Sequence, residues 1–180
     1  MIAVEPSPEM IGQLRLALPG VEAIEGAAER IPVPDGRVDV VTAGQAFHWF
    51  DPELALPEIA RVLRPGGSLG LVWNLWNEEN AVVSGLYALL PPFGGSGESK
   101  DAVVRSELFG PLDEAAFDWI RRYGREELVE RFGTQSSVAA LDSPDRAELL
   151  AAVARFWDTE SVDGVLELPY RTHGYRATRL

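Results

Sequence analysis

The feature that most constrains this chain is a regular alternation of strand and helix patterns over residues 2–74. Short apolar runs at 2–4, 21–24, 38–43 and 69–73 are separated by helical segments or by a polar loop. Alternation of this kind is typical of an α/β fold, because parallel strands need long crossover connections that are usually helical. The sequence therefore predicts a mostly parallel, doubly wound α/β sheet.

Capping residues mark the ends of the two helices predicted in this region. Ser7-Pro8-Glu9 starts the first helix, because serine caps free N–H groups and proline suits the first helical position, and Pro19-Gly20 ends it. Asp51-Pro52 starts the second helix, and the turn Arg64-Pro65-Gly66-Gly67 ends it. The inward positions are predicted to be Met10, Ile11, Leu14, Ala17 and Leu18 in the first helix and Leu54, Ala55, Ile59, Val62 and Leu63 in the second.

The strand at 38–43 is β-branched and largely apolar, which is typical of a mostly buried strand. Beyond residue 80 the pattern becomes mainly helical. The predicted elements there are a helix at 81–90, a loop at 91–101, an amphipathic helix that begins at Ser143-Pro144 and a strand at 165–178. Periodicity does not distinguish strand from helix at 117–123.

Composition excludes several kinds of site. The chain has no cysteine, two histidines (His48 and His173) and one lysine, Lys100. Disulfide frameworks and cysteine nucleophiles are therefore excluded, and no metal site is predicted. The net charge of -12 disfavours a nucleic-acid partner, because phosphate-backbone binding needs clustered basic residues.

The first ten residues contain neither a basic segment nor a long apolar run. They do not fit a secretory signal, and charges interrupt the apolar pattern too often for a membrane span. We therefore expect a cytoplasmic location and no membrane partner.

Three features at predicted strand ends point to chemistry. Glu5 follows an apolar strand, where doubly wound folds place an acid that accepts hydrogen bonds from ribose hydroxyls. The loop 26–32 follows the next strand, where its backbone amides could meet the edge of an adenine. The segment 45–51 contains His48 and three aromatic residues, more than a helix cap needs. Each feature also has a structural alternative: a solvated acid, an ordinary loop, and a packed histidine.

These pieces together resemble the latter part of a class I S-adenosylmethionine-dependent methyltransferase of the small-molecule, type 11 branch. The resemblance covers residues 1–78, and its motifs are specific in their order and spacing rather than singly. The matching segments are Val4-Glu5-Pro6-Ser7, Ala28-Glu29-Arg30-Ile31-Pro32, Pro34-Asp35-Gly36, Val38-Asp39-Val40-Val41, Gln45-Ala46-Phe47-His48-Trp49 and Glu58-Ile59-Ala60-Arg61-Val62-Leu63-Arg64-Pro65-Gly66-Gly67. The segment Leu168-Pro169-Tyr170-Arg171 through Tyr175-Arg176 resembles the final, antiparallel strand of that branch.

The resemblance implies a Rossmann-like domain over residues 1–180. Its α/β cofactor-binding core would span 1–78, a mostly helical insertion on the substrate side 79–160, and the final antiparallel strand 161–180. The implied cofactor is S-adenosylmethionine. Its ribose would be held by Glu5, its adenine would lie beside Ala28 and Glu29, and its methionine part and the methyl acceptor would be flanked by Gln45, Ala46, Phe47, His48 and Trp49.

The sequence departs from the family at its start. The family's first strand and glycine-rich loop have no counterpart here, so we expect an N-terminally truncated sheet. In the usual strand order the absent strand lies between the strand that ends at Glu5 and the strand at 38–43. Without it both strands lack a partner, which predicts weak cofactor binding and self-association through the unpaired strands.

For a complete enzyme of this family, the resemblance implies transfer of a methyl group from a sulfonium to a small-molecule acceptor. His48 would act as a general base, because its ordinary pKa is near neutrality, while Phe47, Trp49 and Trp73 would shape the pocket. Two alternatives stay open: a truncated, non-catalytic interaction module, and a nicotinamide-dependent oxidoreductase that also places Glu5 on a ribose.

Overall fold

The structure of the protein is a computed structural model, and it describes residues 1–91 and 99–180. The strands are β1 (Ile2–Glu5), β2 (Glu22–Glu25), β3 (Val38–Gly44), β4 (Leu63–Trp76), β5 (Asp113–Tyr123) and β6 (Leu166–Thr178). The helices are α1 (Pro8–Ala17), α2 (Pro52–Val62), α3 (Ala81–Tyr87), α4 (Ser99–Arg105), α5 (Arg125–Gly133), α6 (Ser136–Ala139) and α7 (Ser143–Glu160). None of these helices is long and apolar enough to cross a membrane.

The described residues divide into two compact units. The first unit contains residues 1–73, the described part of 96–115, and 174–180, and the second contains the described part of 74–95 and residues 116–173. Strands β4, β5 and β6 contribute residues to both units. Every residue predicted to form the cofactor or acceptor site belongs to the first unit.

Strands β1 and β2 form a parallel pair, with Ile2 opposite Glu22 and Glu5 opposite Glu25. Helix α1 connects them, and the Ser7 side chain caps it by accepting a hydrogen bond from the Met10 N–H, which confirms the predicted helix start. Because the pair is parallel, the carboxyl ends of both strands lie at the same edge. Glu5 is therefore at the edge where α/β folds bind ligands.

Strands β3 and β4 are also parallel, and they are connected by α2. Val38 lies opposite Leu63, but Val40 lies opposite Ser68, so residues 64–67 bulge out of the ladder. The turn predicted at Arg64-Pro65-Gly66-Gly67 is thus a bulge within β4, and β4 begins directly at the end of α2.

The final strand is antiparallel to its neighbours, as predicted. The Arg179 N–H donates to the Gly67 carbonyl and the Asn77 N–H donates to the Pro169 carbonyl, so β4 and the C-terminal strand run in opposite directions. These strands belong to a four-stranded sheet with the order β3-β4-β6-β5. The result is a mixed sheet with helices, which confirms the predicted Rossmann-like α/β class.

Each unit has its own apolar core. The core of the first unit comprises Ala43, Phe47, Ala55, Leu56, Ile59, Ala60, Leu63, Leu69, Leu71, Trp73, Val103, Phe109 and Ala177. The core of the second comprises Trp76, Val83, Leu86, Tyr123, Leu128, Phe132, Val138, Leu149, Val153, Leu166, Leu168 and Tyr170. Helix α2 supplies much of the first core and α7 anchors the second, in agreement with their predicted apolar stripes.

Burial corrects several sequence-based expectations. The prediction that the strand at 38–43 is mostly buried is wrong: only Ala43 is buried and Val40 is 56% exposed. The physical reason is that β3 ends its sheet, with only β4 beside it in the described part of the chain. Leu54 of α2 is exposed rather than inward. Met10, Ala17 and Leu18 are exposed as well, because α1 buries only Ile11.

The middle of the chain adds one element and changes another. Residues 117–123 belong to the strand β5, which lies within the segment predicted as a mostly helical insertion. Residues 99–101 start α4, so the predicted loop at 91–101 ends earlier than expected. Residues 92–98 of that predicted loop lie outside the described residues.

Candidate active site

Glu5 ends β1 as a half-buried carboxylate. Its Oε1 atom accepts a hydrogen bond from the Ser7 N–H at 2.9 Å, which orients the side chain. Among the described residues, no donor contacts its Oε2 atom. The Glu5 carbonyl accepts from the Gly26 N–H at 3.2 Å, so the end of β1 is joined to the loop after β2. A carboxylate that is oriented on one oxygen and open on the other can accept hydrogen bonds from ligand hydroxyls.

The loop after β2 turns tightly beside this carboxylate. Gly26 is closely packed: a Cβ there would lie 2.7 Å from the Pro32 Cδ atom and 3.1 Å from Val4. The Arg30 N–H donates to the Ala27 carbonyl at 3.1 Å, and this turn places Ala28 and Glu29 at its tip. An added side chain would overlap the Pro32 ring, which explains the glycine at this position.

Helix α2 holds the loop through Arg61 and Glu58. The Arg61 guanidinium donates to the carbonyls of Ile31 at 2.8 Å and Val33 at 2.9 Å, and to the Asp35 carboxylate at 2.6 Å. The Glu58 carboxylate accepts from the Ile31 N–H at 3.0 Å and pairs with Arg61 at 2.8 Å. Arg61 therefore holds the pKa of Glu58 below its ordinary value, and the loop is held by a charged network.

The loop after β3 begins with a left-handed residue. Gln45 has a φ of 53°, and its N–H donates to the Val72 carbonyl at 2.9 Å. The chain then forms a short 3-10 turn over Phe47–Trp49, and Asp51 caps α2 by accepting from the Glu53 N–H. The left-handed residue thus lies where the ladder with β4 ends and the loop begins.

Residues 47–50 divide into a buried and an exposed part. Phe47 is 2% exposed, contacts Phe50 edge to face at 5.5 Å, and belongs to the core of the first unit. Trp49 is 64% exposed, and its ring lies 4.9 Å from that of His48. His48 is half-buried, and this burial lowers its pKa. The neutral imidazole, which can accept a proton, is therefore the favoured form at neutral pH.

Trp73 lies near the carboxyl end of β4 and is 7% exposed. It contacts Tyr175 edge to face at 5.7 Å, and the Lys100 ammonium lies 4.9 Å from the centre of the Tyr175 ring. Lys100 also pairs with Glu114 at 3.2 Å, which raises the Lys100 pKa. The buried Trp73 Nε1–H has no acceptor in the part of the chain that the structure describes.

A second link joins the loops after β2 and β3. The Glu29 carboxylate accepts from the Asp51 N–H at 2.9 Å, at the start of α2. Together with the bond between Glu5 and Gly26, it connects the carboxyl ends of β1, β2 and β3 through hydrogen bonds within the first unit. Glu5, Ala28, Glu29, Gln45 and Ala46 thus lie on connected segments, whereas Phe47 and Trp73 pack into the core.

The residues that hold these loops were not predicted from the sequence. Arg61 and Glu58 carry the network, and Asp51 serves both as a helix cap and as the partner of Glu29. The signal available in the sequence was the spacing of Glu58 and Arg61, three residues apart on one helix, which favours an ion pair. Nothing in that spacing indicates that the pair would reach across to Ile31 and Val33.

Comparison with known proteins identifies the family. A family model described as "Methyltransferase domain" matches residues 1–71. An uncharacterized methyltransferase of Mycobacterium tuberculosis is 37% identical over 182 residues, which covers 99% of this chain and 74% of the relative. An uncharacterized methyltransferase-like protein of Schizosaccharomyces pombe is 32% identical over 192 residues, covering 99% of this chain and 73% of the relative.

Solved structures agree on the fold. The YcgJ protein from Bacillus subtilis has a TM-score of 0.60 at 20% identity, covering 99% of this chain and 81% of that one. A geranyl diphosphate methyltransferase in complex with SAM has a TM-score of 0.50 at 17% identity, covering 99% of this chain and 68% of that one. With the relative that is 37% identical over 99% of this chain, these findings establish that the chain belongs to the class I S-adenosylmethionine-dependent methyltransferases.

Proposed function

We propose that this protein binds S-adenosylmethionine at the carboxyl ends of β1, β2 and β3 and transfers its methyl group to a small-molecule acceptor. The observation that carries the proposal is the set of hydrogen bonds that links Glu5 to Gly26 and Glu29 to Asp51. These bonds connect the three strand ends where an α/β fold binds a nucleotide. Family membership supplies the reaction type, and the linked loops supply a location for it.

The residues present fit the cofactor. The Oε2 atom of Glu5, which lacks a donor among the described residues, suits the ribose hydroxyls. Ala28 and Glu29 lie at the tip of a loop that Arg61 holds, and a held loop suits the flat edge of an adenine. Gln45 and Ala46 would flank the methionine part, because they follow β3 directly.

The bound cofactor would supply an electrophilic methyl group on a positively charged sulfur. In the transfer, an oxygen, nitrogen or carbon of the acceptor forms a bond to the methyl carbon while the carbon–sulfur bond breaks. The electron pair of that bond stays on the sulfur, which becomes neutral, and an acceptor that carries a proton must release it. The chain's own residues act by aligning the reactants and by excluding water.

His48 would take the proton released by a hydroxyl acceptor. It is half-buried on the 3-10 turn after β3, and its lowered pKa leaves the imidazole unprotonated at neutral pH. The adjacent Trp49 is exposed and can contact the acceptor directly. Phe47 and Trp73 would shape the pocket from within the core, where they already pack.

The charge of the chain bears on the acceptor and on other partners. A net charge of -12 favours neutral or cationic small molecules over anionic ones and disfavours nucleic acid. No membrane partner is expected, and we propose a cytoplasmic location for the enzyme. These statements follow from overall charge and composition.

The proposal is tested at Glu5, on the protein at the full length that its gene encodes. Glu5→Ala removes a charged acceptor that two ribose hydroxyls would share, so we expect the binding free energy for S-adenosylmethionine to weaken by about 1.5 to 3 kcal/mol. Isothermal titration calorimetry measures the affinity, and circular dichroism checks that the fold is retained. Glu22→Ala is the matched control, because Glu22 begins the neighbouring strand at the opposite end of the pair.

Three results would contradict the proposal. Equal affinity in Glu5→Ala and the wild type would remove Glu5 from the site. An equal loss in Glu5→Ala and Glu22→Ala would indicate a general effect on the β1–β2 pair. Binding of a nicotinamide dinucleotide in preference to S-adenosylmethionine would favour the oxidoreductase alternative.

A further inference from the structure

Strand β5 is the last strand of its sheet in the part of the chain that the structure describes. It contains 11 residues, of which all but Tyr123 are exposed. Its backbone pairs with β6 on one side, so the other side presents unpaired N–H and C=O groups to solvent. Such an edge is a ready template for another strand.

The edge lacks some of the features that usually protect an end strand. Natural edge strands are short, or carry proline, a bulge or charged side chains, above all lysine. Strand β5 has no proline, glycine or lysine. It also exposes large apolar side chains: Phe117 is 62% exposed, Ile120 is 60% exposed and Trp119 is 38% exposed. A long and partly apolar edge favours pairing with a partner strand.

The charges on β5 are complementary to those of a reversed copy of itself. The strand begins with Asp113 and Glu114 and ends with Arg121 and Arg122 before Tyr123. When two copies pair antiparallel, the acidic start of each strand faces the basic end of the other. Opposite charges on facing residues stabilise a strand pair, so the charge pattern favours a second copy over an unrelated strand.

One register satisfies both the charged and the aromatic residues. With a two-fold axis perpendicular to the sheet and midway between the two copies of Asp118, Glu114 faces Arg122 of the second copy, and Phe117 faces Trp119 of the second copy. The two-fold axis produces each of these contacts twice. Aromatic pairs and opposite charges on facing residues each favour antiparallel pairing.

The same register places Asp118 opposite its own copy, and the structure already compensates this charge. The Asp118 carboxylate accepts two hydrogen bonds from the Arg171 guanidinium, at 2.6 and 2.9 Å. Each carboxylate therefore comes with its own counter-charge from β6, which limits the repulsion between the two copies.

We propose that two copies of this chain form a symmetric dimer in which their β5 strands pair antiparallel around Asp118. The two sheets then continue into each other through main-chain hydrogen bonds. This interface differs from the association through β1 and β3 that the sequence analysis predicts, and it does not depend on the proposed function.

The ion pairs that Glu114 and Arg122 already form within the chain do not prevent their contacts with a second copy. Glu114 pairs with Lys100 at 3.2 Å and Arg122 pairs with Glu167 at 2.8 Å, and all four side chains are at least 37% exposed. Exposed pairs of this kind contribute little, so their side chains can also contact a second copy.

A cysteine at position 118 provides the sharpest test, because the chain has no cysteine of its own. In the proposed register the two Cα atoms of residue 118 lie about 4.5 to 5.5 Å apart, which is within the range that a disulfide spans. We expect Asp118→Cys to form a covalent dimer under mild oxidation, measured by non-reducing electrophoresis and intact mass. Glu148→Cys, on the exposed surface of α7, is the control and should stay monomeric under the same conditions.

Exchanging the charges of Glu114 and Arg122 tests the register through the dimer dissociation constant. Glu114→Arg and Arg122→Glu each place like charges opposite each other twice, so we expect each to raise the dimer dissociation constant about tenfold or more. The double variant restores opposite charges and should return the constant to within about threefold of the wild type. Sedimentation velocity measures the constants, circular dichroism checks the fold, and Glu148→Arg is the matched control.

Four outcomes would overturn the proposal. The first is a wild-type chain that stays monomeric at about 100 μM, a concentration high enough to populate even a weak dimer. The second is cross-linking of Asp118→Cys that is no faster than that of the control. The third is a dimer whose dissociation constant neither single charge change alters, and the fourth is a double variant whose dissociation constant does not return toward the wild-type value. A dimer that forms through another face would be unaffected by either single charge change. The cross-linking result stands by itself if a charge variant fails to fold.

Discussion

Glu5 and His48 are the two side chains on which the proposed chemistry depends, and both are half-buried, Glu5 at the end of β1 and His48 within the 3-10 turn after β3. Glu5 is oriented by the Ser7 N–H, and His48 is partly desolvated on a 3-10 turn. Desolvation disfavours the charged imidazolium, so the folded chain binds the His48 proton less tightly than the unfolded chain does. The same burial therefore influences both reactivity and stability.

We expect methyl transfer to a hydroxyl acceptor to slow as the pH falls, with an apparent pKa below the ordinary histidine value of about 6.5. Below that point His48 is protonated and cannot accept the proton of the acceptor. Transfer of a labelled methyl group, measured from acidic to neutral pH, gives the profile. His48→Gln should remove the acidic limb and lower the rate by about 100-fold or more.

The matched variant is Trp49→Ala, which changes the shape of the pocket without removing a titrating group. It should lower turnover while keeping the acidic limb. An unchanged limb in His48→Gln would assign the proton transfer to another group. A normal rate in both variants would return His48 and Trp49 to a packing role.

The pH dependence of stability at His48 has a definite sign. Because its folded pKa is lowered, the unfolded chain binds more protons at mildly acidic pH. The contribution of His48 to stability is thus complete above about pH 6.5 and is lost as the pH falls through the folded pKa. In urea titrations, His48→Gln should therefore lose less stability than the wild type between pH 7 and pH 5.

At the scale of single elements, the bulge at the start of β4 is closely packed against backbone atoms. Gly66 has a φ of 73°, and a Cβ on Gly67 would lie 2.9 Å from both the Arg64 and the Asp39 carbonyl oxygens. Backbone atoms cannot move aside as a flexible side chain can. The bulge therefore needs glycine at both positions, which explains the Gly66-Gly67 pair that the sequence places after α2.

We expect Gly67→Ala to destabilise the protein by about 2 kcal/mol, because the added methyl group overlaps two carbonyl oxygens. Gly70→Ala, in the same strand, is the control: its Cβ would lie 3.5 Å from Thr42, an ordinary contact. The control should change stability by less than about 1 kcal/mol. Chemical denaturation followed by tryptophan fluorescence measures both, and equal effects would show that the bulge is not tightly packed.

At the scale of the whole molecule, β1 and β3 of the first unit each have one partner among the described residues. Strand β1 pairs with β2, and β3 pairs with β4. Both strands contain apolar residues that are only partly buried or are exposed, such as Ala3 and Val40. A further strand between β1 and β3, as the family resemblance implies, would give each of them a second partner.

We expect the 180-residue chain by itself to bind S-adenosylmethionine weakly or not at all. A version that carries an apolar strand and a glycine-rich loop ahead of Met1 should bind more tightly, because backbone N–H groups of such a loop would contact the cofactor. Equilibrium dialysis with labelled cofactor compares the two versions. Equal micromolar binding by both would show that β1 and β3 suffice without a strand between them.

Features that depend on a few neighbouring residues were predictable from the sequence. Ser7 and Asp51 cap α1 and α2 as expected, because a cap is a contact within one helical turn. The order of elements over residues 2–74 and the final strand follow from hydrophobic period and turn residues, which are local properties too.

Other features were decided only by the tertiary structure, because they depend on residues distant in the chain. The exposure of Val40 and Leu54 depends on which neighbours cover β3 and α2, and not on how apolar the residues are. Residues 117–123 form a strand because β6 offers them a partner. Arg61 reaches the carbonyl of Ile31, 30 residues away, and Glu29 reaches the Asp51 N–H. Local pattern determines which elements form, whereas long-range packing determines which side chains meet.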